Sequence, residues 1–480
     1  ADSPRTGRML PSTVDLVVRD ARVVTPEGTR RGGVAVDDGV IVAVAADPTL
    51  PRGDQEVDAE GNYLIPGLID PHVHLGRRGT GYPEQLVVDF ETETRGALFG
   101  GVTSLLNFVE QGGHYVPDLD VFIEVGEANS YIDFGYHMVM SHAHHIDEIP
   151  ALAERGVTSY KMFFNMYKYS DIDIEPCEAD RVYRVLAQVA EIPGAVGMFH
   201  AENAELQREC ERQIRAAGRH DLRAWADASP PAAEAMQIDQ IGHLSSLADA
   251  RCYVVHVSSA EGVAAVTRAR DRGADVVGET LVTFLANTVE DDLGVWGKVS
   301  PPLRGPRHQK ALWEAVRVGT IDHIGTDHVA MTVEEQELGE GRYGEHFWDA
   351  PPGIQPGMEF MLPMLLTEGY NRNRLSMERL VEVCSTNNAK RFGLYPRKGA
   401  IAVGSDADLV VVDPDRETTV DDDFFHTREP RWSSVHGRDV KGMATHTIVG
   451  GDLAVADRTL LADPGGGRFL ARGPAGERAL

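Results

Sequence analysis

Between about residue 62 and residue 330, the chain alternates short apolar, β-branched runs with longer stretches of helical periodicity. Parallel strands need a crossover connection, which is usually a helix, and eight such units close into a (β/α)8 barrel. The alternation therefore predicts an α/β fold with a (β/α)8 barrel. The eight predicted strands are residues 63–70, 101–108, 136–140, 157–164, 195–200, 251–257, 275–281 and 321–326.

The two ends of the chain follow a different pattern, in which short alternating strands are separated by turn residues. We interpret residues 14–61 and 400–462 as one small β-sandwich domain, into which the barrel of residues 62–399 is inserted. Residues 1–13 are polar and are expected to be a flexible N-terminus. Residues 463–480 are rich in Gly, Pro, Ala and Arg and are expected to form an exposed C-terminal tail.

The composition restricts the classes of partner. The net charge of −28 would repel the phosphates of nucleic acids and anionic lipids, so neither is an expected partner. The four cysteines are widely spaced and no apolar run is long enough to cross a membrane. No secretory signal is recognisable at the N-terminus. We therefore expect a cytoplasmic protein that acts on a small molecule.

Five of the predicted strands end in groups that can bind a metal ion. In a barrel the C-terminal ends of the strands lie on one face, where these groups would meet. A single buried histidine can simply bond a carbonyl group, and an aspartate can cap a helix, but five coincidences of this kind favour a metal site. The candidate residues are His72, His74, Lys161, His200, His256 and Asp327.

Lys161 is the most informative of these residues. It lies inside the apolar run Tyr160-Lys161-Met162-Phe163, where a lone ammonium would be costly. Desolvation lowers the pKa of a lysine, and the free amine can add carbon dioxide to become a carbamate with two oxygens. A snorkelling or salt-bridged lysine is the alternative.

These residues stand in stretches that resemble the amidohydrolase superfamily, and most closely its cyclic-amidohydrolase branch of dihydropyrimidinases, hydantoinases, allantoinases and dihydroorotases. The resemblance covers nearly the whole chain, and its last stretch is most similar to the dihydropyrimidinase and hydantoinase group. The matching stretches begin at Pro66, Ser159, His200, His256, Lys298, Thr326 and Ser385.

The resemblance implies a centre of two divalent metal ions. His72, His74 and Asp327 would hold the more buried ion, and His200 and His256 the outer one. Lys161, modified to N6-carboxylysine, would bridge the two. Zinc suits this set of ligands best, and manganese, cobalt or nickel could replace it.

The resemblance also implies a reaction. A hydroxide bridging the two ions would attack an amide carbonyl, and Asp327 would act as general base and then as general acid towards the leaving nitrogen. Asp70 would orient a histidine from behind. The same resemblance implies a homotetramer or a homodimer.

The expected contacts to the substrate depart from the family pattern. The family tyrosine that assists the oxyanion would stand at Met166, so Tyr167 is our candidate and Tyr169 the reserve. Ser300 matches a position whose backbone contacts the substrate ring. Pro352 occupies the place of a substrate-binding asparagine, and a proline keeps the carbonyl group but lacks the N–H donor.

Several alternatives remain open. The same site could hydrolyse an acyclic amide, urea or carbamate, or act as an allantoinase or a dihydroorotase. In dihydroorotases an arginine that binds the substrate carboxylate would stand at Gly76, and here Arg77 and Arg78 follow that position. A deaminase with one metal ion would leave Lys161 without a role. A scaffold homologue would be expected to lack the ligands. The histidines after predicted strands two and three match no family ligand and are interpreted as exposed or orienting side chains: His114, His142, His144 and His145.

Overall fold

The structure is a computed structural model of the 480-residue chain. The parts of the chain that it describes are residues 12–76, 84–164, 175, 177–331, 347–354, 356–428 and 433–473.

The described elements are strands, α-helices and a few short 3-10 and π segments. The strands are Thr13–Thr25 (β1), Gly28–Asp37 (β2), Val40–Ala45 (β3), Arg52–Asp58 (β4), Tyr63–Pro66 (β5), Leu68–His74 (β6), Val102–Val109 (β7), Asp133–Val139 (β8), Ser159–Phe163 (β9), Val196–His200 (β10), Cys252–Val254 (β11), Val276–Leu281 (β12), His323–Gly325 (β13), His328–Val329 (β14), Leu409–Thr419 (β15), Asp439–Val449 (β16), Asp452–Ala456 (β17) and Thr459–Leu460 (β18). The α-helices are Glu84–Phe99 (α1), Leu119–Asn129 (α2), Ile149–Glu154 (α3), Ala179–Ala190 (α4), Ala204–Ala216 (α5), Leu222–Ala228 (α6), Pro231–Ala248 (α7), Ala260–Asp271 (α8), Val282–Ala286 (α9), Pro306–Val318 (α10), Gly357–Leu365 (α11), Met377–Val381 (α12) and Asn387–Arg391 (α13). The 3-10 segments are Asp47–Thr49, Ala143–Glu148, Gly294–Gly297 and Asp422–Phe424, and the π segments are Leu366–Tyr370 and Glu382–Thr386.

The central sheet is a parallel barrel with helices between its strands. Strands β6 to β13 follow one another in chain order, and β14 pairs with β6 to close the ring. The strands are buried on both faces, as β7 illustrates along its whole length, which explains why the sequence shows continuous apolar runs here. The structure confirms the predicted (β/α)8 barrel.

The eighth barrel position is filled by two short strands. β13 pairs with β12 and β14 pairs with β6, while Thr326 and Asp327 lie between them. Asp327 has a φ of 52°, in the left-handed region that few side chains adopt, so the chain turns sharply at this residue. The break projects Asp327 from the barrel wall at its C-terminal face.

Both chain ends form the second sheet, as predicted. β1 pairs with β2 along one edge, and along the other edge with β4 and then with β5. β5 also pairs with β15, which joins the strands from the two ends of the chain. The predicted first barrel strand, 63–70, is therefore wrong in part, because Tyr63–Pro66 belongs to this sheet and the barrel strand starts at Leu68.

The prediction of an exposed C-terminal tail is wrong for the last part of the described chain. Leu470 and Arg472 are buried, and the backbone N–H of Leu470 donates to the carbonyl of Phe134 in β8. This segment therefore lies beside the first residues of β8. No helix in the described parts of the chain is both long and apolar enough to cross a membrane.

Candidate metal centre

All six predicted metal ligands line one cavity at the C-terminal face of the barrel. The cavity encloses about 530 Å³, including its open mouth, and Ser300 and Pro352 also line it. The six residues come from five strand positions that are distant in the sequence. They are His72, His74, Lys161, His200, His256 and Asp327.

The carboxylate of Asp327 lies near two of the candidate histidines. Its Oδ1 lies 3.2 Å from Nε2 of His72 and 3.2 Å from Nε2 of His74. His72, His256 and Asp327 each offer one ligand atom within 4.8 Å of the others. Imidazole nitrogens and a carboxylate at this spacing suit a divalent transition metal.

Two further imidazole contacts extend the group. The ring centroids of His72 and His256 are 5.4 Å apart, and those of His200 and His256 are 4.4 Å apart. His256 has a φ of 43°, which turns the chain where β11 ends. The rings therefore form a continuous row from His74 to His200.

The amine of Lys161 is buried among aromatic rings. Its Nζ is fully buried and has no hydrogen-bond partner among the described residues. The groups nearest to it include the rings of Phe108 and Phe163, whose centroids are 4.4 and 4.7 Å away. Burial lowers the pKa of Lys161 to about 8, although the carboxylates of Asp327, Glu279 and Glu110 oppose the shift.

Two buried carboxylates each contact a ring nitrogen of a candidate metal ligand. Glu279 Oε1 lies 2.7 Å from Nδ1 of His72, and Glu202 Oε2 lies 2.7 Å from Nε2 of His200. A histidine that donates one ring N–H to a carboxylate presents its other nitrogen, as an electron-pair donor, to a metal. We did not predict Glu279, although it is a carboxylate in an apolar strand, as Lys161 is an amine in one.

Asp70 has a different role from the one expected. Within the described chain its carboxylate is not bonded to a histidine ring; it accepts hydrogen bonds from the backbone N–H of His72 at 3.1 Å and of Thr326 at 3.2 Å. It also accepts a bond from the Thr326 hydroxyl. Burial raises the pKa of Asp70 to about 7, while these hydrogen bonds act in the opposite direction. Asp70 thus ties β6 to the break in the eighth strand.

The electrostatics of the cavity favour positive charge near His72. Burial alone lowers the pKa of His72, but the carboxylates of Glu279 and Asp327 outweigh it and raise the pKa to about 9. The pKa of Asp327 is held well below its usual range: burial opposes this shift, and His72 and His74 overcome it. The ligand set therefore fits a bound cation, which would take the place of the imidazole proton.

The wall that would face a substrate is held by a buried lysine. Nζ of Lys298 donates to the carbonyls of Phe347 at 2.8 Å, of Trp348 at 2.9 Å and of Ala350. The backbone N–H of Gly353 donates to the carbonyl of Lys298 at 3.1 Å. These bonds hold the segment that contains Pro352 beside Ser300.

Tyr167 and Tyr169 lie outside the described residues, as do Arg77 and Arg78. His328, which follows Asp327 in the chain, is buried, and its Nε2 lies 3.0 Å from Oε2 of the buried Glu93.

Comparison with known proteins gives a consistent result. The model of the Amidohydrolase family matches residues 63–454. An L-hydantoinase of Paenarthrobacter aurescens is 32% identical over 472 residues, covering 95% of this chain and 98% of that protein. A D-hydantoinase of Streptomyces coelicolor is 33% identical, covering 95% of this chain and 97% of that protein. The crystal structure of a dihydropyrimidinase from Brevibacillus agri matches with a TM-score of 0.86 at 31% identity, covering 95% of this chain and 98% of that one.

Proposed function

Because this chain belongs to the amidohydrolase family, we propose that it is a metal-dependent hydrolase that opens a C–N bond of a cyclic amide or ureide, of the hydantoin or dihydropyrimidine type. The observation that best supports the proposal is the convergence of all six family ligands on one cavity. The family implies a divalent metal centre, and the histidines and the carboxylate of the cavity fit one.

In this proposal, His72, His74 and Asp327 would hold one ion, and His200 and His256 would hold the other. Lys161, as its carbamate, would supply oxygen ligands to both, which would account for a buried amine with no hydrogen-bond partner in the described chain. Zinc is the metal we propose, since nitrogen and oxygen ligands of this kind suit it, although manganese, cobalt and nickel have similar preferences. When bound, the ions would supply Lewis acidity and make water a stronger nucleophile near neutral pH.

Asp327 is the proposed general base and general acid. Its carboxylate, which lies 3.2 Å from the ring nitrogens of His72 and His74, would accept a proton from the attacking water. The same proton then goes to the ring nitrogen as the C–N bond breaks, so that water adds across the bond and no other reactant is needed. Glu279 and Glu202 keep the histidines in place during this cycle.

The substrate ring would lie against Ser300 and Pro352. Pro352 can offer only its carbonyl oxygen as a backbone partner, so the ring has to present an N–H group to that side. Tyr167 remains our candidate for the oxyanion contact. The matched relatives include both an L-hydantoinase and a D-hydantoinase, so we propose no stereospecificity.

We also propose a cytoplasmic location and a homotetramer or homodimer. The four cysteines, which all lie in the described chain, are free thiols, as is usual in a reducing compartment.

A substrate panel on the metal-loaded protein tests the proposal. Hydantoins, dihydropyrimidines, allantoin, dihydroorotate and linear ureas would be compared by kcat/KM, with metal content measured on the same samples. We expect about two ions per chain and the highest kcat/KM for a hydantoin or a dihydropyrimidine. Turnover of linear ureas alone would contradict the cyclic substrate, and a protein that binds no metal would contradict the reaction itself.

A further inference from the structure

A second group of imidazoles lies outside the metal centre, on the loops that follow β7 and β8. His114 belongs to the first loop, and His142 and His144 belong to the second. The ring centroids of His114 and His144 are 4.7 Å apart, and those of His142 and His144 are 5.3 Å apart. Two separate segments of the chain therefore bring three rings together.

His145 fixes the arrangement of these two loops. Its Nε2 lies 2.7 Å from the carbonyl of Gly113, and its Nδ1 lies 3.3 Å from the backbone N–H of His142. Both contacts are satisfied by a neutral ring with its proton on Nε2. Burial lowers the pKa of His145 to about 4, which agrees with a neutral ring. His145 is thus a structural link between the loops. Nδ1 of His114 lies 3.5 Å from Oε2 of Glu148, and Nδ1 of His142 lies 3.3 Å from the hydroxyl of Ser141, so a metal ion would be bound through the other ring nitrogen of each.

Glu148 and Gln111 hold the first loop in place as well. The carboxylate of Glu148 accepts bonds from the backbone N–H groups of Tyr115 at 3.1 Å and Val116 at 3.0 Å. The side-chain amide of Gln111 donates to the carbonyl of His114 at 2.7 Å. The backbone under His114 is therefore preorganised, and only its side chain has to move.

The two ring-to-ring distances in this group are similar to those in the candidate metal centre. The centroids of His72 and His74 are 5.4 Å apart, and those of His200 and His256 are 4.4 Å apart, which brackets the distances in the second group. In addition, Nε2 of His144 is buried and has no hydrogen-bond partner in the described chain. A buried imidazole nitrogen without a partner is costly, and a metal ion would supply one.

We propose that His114, His142 and His144 form an additional site for a transition-metal ion. Three imidazoles select ions such as Zn²⁺, Ni²⁺ or Cu²⁺ and disfavour Mg²⁺ and Ca²⁺, which prefer oxygen. The ligand atoms do not converge as tightly as those of His72, His256 and Asp327. The side chain of His114 is 64% exposed, so it can turn towards an ion without disturbing the fold.

The position of this site links it to the catalytic cavity. Glu110, one residue before Gln111, lines that cavity, and the hydroxyl of Ser141 donates to the carbonyl of Gln111 at 2.8 Å. An ion held by the three histidines would brace the wall of the cavity without touching the proposed catalytic ligands. The site is therefore distinct from the centre that performs the reaction.

Metal stoichiometry on the full chain tests the site. The protein would be loaded with Zn²⁺, dialysed and analysed for bound zinc, together with His114→Ala and with His243→Ala, which removes an exposed histidine of α7 as a matched control. We expect about three ions per chain in the parent and in the control, and about two in His114→Ala. Equal zinc content in the parent and His114→Ala would overturn the proposal.

Two further measurements separate this site from the catalytic centre. Lys161→Ala should lose the catalytic zinc but keep the ion at the histidine site. Unchanged catalytic zinc in this variant would contradict the proposed function, whereas loss of the ion at the histidine site would contradict only the additional site. Cu²⁺ binds imidazole more tightly than Zn²⁺, so one equivalent added to the zinc-loaded protein should displace zinc from the exposed histidine site and show nitrogen hyperfine coupling in its electron paramagnetic resonance spectrum. We expect His144→Gln, checked for an unchanged melting temperature, to weaken this Cu²⁺ binding about tenfold or more. Unaltered binding would contradict the assignment.

Discussion

The amine of Lys161 is the proposed link between the two metal ions. It is buried between two aromatic rings and makes no hydrogen bond within the described residues. We predict that Lys161→Ala lowers kcat/KM by about 10³-fold or more, since it would remove the group that links both ions. Zinc content and turnover would be measured on the same preparation, and a short carboxylic acid with added metal should restore part of the activity.

The control for this prediction is Lys390→Ala, which removes an exposed lysine of α13. It should leave both zinc content and activity unchanged. A Lys161→Ala protein that kept full zinc content and full turnover would show that the amine is not a bridging ligand.

Glu279 is buried beside the ring of His72 and also accepts a hydrogen bond from the hydroxyl of Tyr253 at 2.8 Å. We predict that Glu279→Gln weakens metal binding about 10–100-fold, because an amide orients the imidazole less strongly than a carboxylate does. Zinc retention against a chelator would measure the change, and activity should recover at saturating zinc. Glu314→Gln, an exposed site on α10, is the control. Equal zinc affinity in both variants would argue against the positioning role.

At this scale, sequence reasoning located the proposed ligands but not the groups that hold them. The ligands stand at predicted strand ends, where a polar residue in an apolar run is conspicuous, and the structure brings all six to one cavity. The partner of His72 could not be assigned in the same way, because Asp70 and Glu279 are both buried carboxylates on barrel strands. Only the register between the strands places Glu279 at Nδ1 of the His72 ring and Asp70 at the backbone N–H of His72.

Among the elements, the segment 347–354 depends most clearly on one side chain. The amine of Lys298 bonds three of its carbonyls and lies 4.5 Å from the ring centroid of Trp225. We predict that Lys298→Met raises KM about tenfold with a smaller change in kcat, because the wall formed by Pro352 would lose its anchor while the metal ligands stay in place. Steady-state kinetics on the preferred substrate would measure both constants.

Lys310→Met offers a matched control, since it removes an exposed lysine of α10. It should leave KM unchanged. If Lys298→Met had the same KM as the parent, the three bonds would not position the wall.

The order of the barrel elements could be predicted from the alternation of strands and helices in the sequence. Two strand boundaries could not, namely the one between β5 and β6 and the one between β13 and β14. Residues 63–70 form one predicted strand in the sequence, but in the structure they are divided between two strands in different sheets, Tyr63–Pro66 and Leu68–His74. The change occurs at Gly67, whose N–H donates to the carbonyl of Asp408 in the distant end of the chain. The break in the eighth strand was equally hidden, since it depends on hydrogen bonds from Thr326 to Asp70.

On the scale of the whole molecule, the C-terminal segment is where the amino-acid composition gave the wrong prediction. Glycine, proline and arginine indicated an exposed tail, yet residues 468–472 run beside β8, with hydrogen bonds from Phe134 to Arg468 and from Leu470 to Phe134. Local composition cannot report such a contact, because its partners lie more than 300 residues earlier in the chain. The side chain of Arg472 is buried against β8 and β9, where its guanidinium donates to the hydroxyl of Ser159 at 2.7 Å and to the carbonyl of Tyr136.

Arg472 should therefore contribute to global stability although it lies near the end of the chain. Burial lowers the pKa of its guanidinium to about 10, so the side chain stays charged at neutral pH and depends on its hydrogen bonds. We predict that Arg472→Ala lowers the free energy of unfolding by about 2–4 kcal/mol, since it leaves a cavity and two acceptors without their donor. Urea unfolding would measure the change, with Arg184→Ala on the exposed face of α4 expected to stay within about 0.5 kcal/mol of the parent. An Arg472→Ala protein as stable as this control would mean that the C-terminal segment only covers the barrel and does not support it.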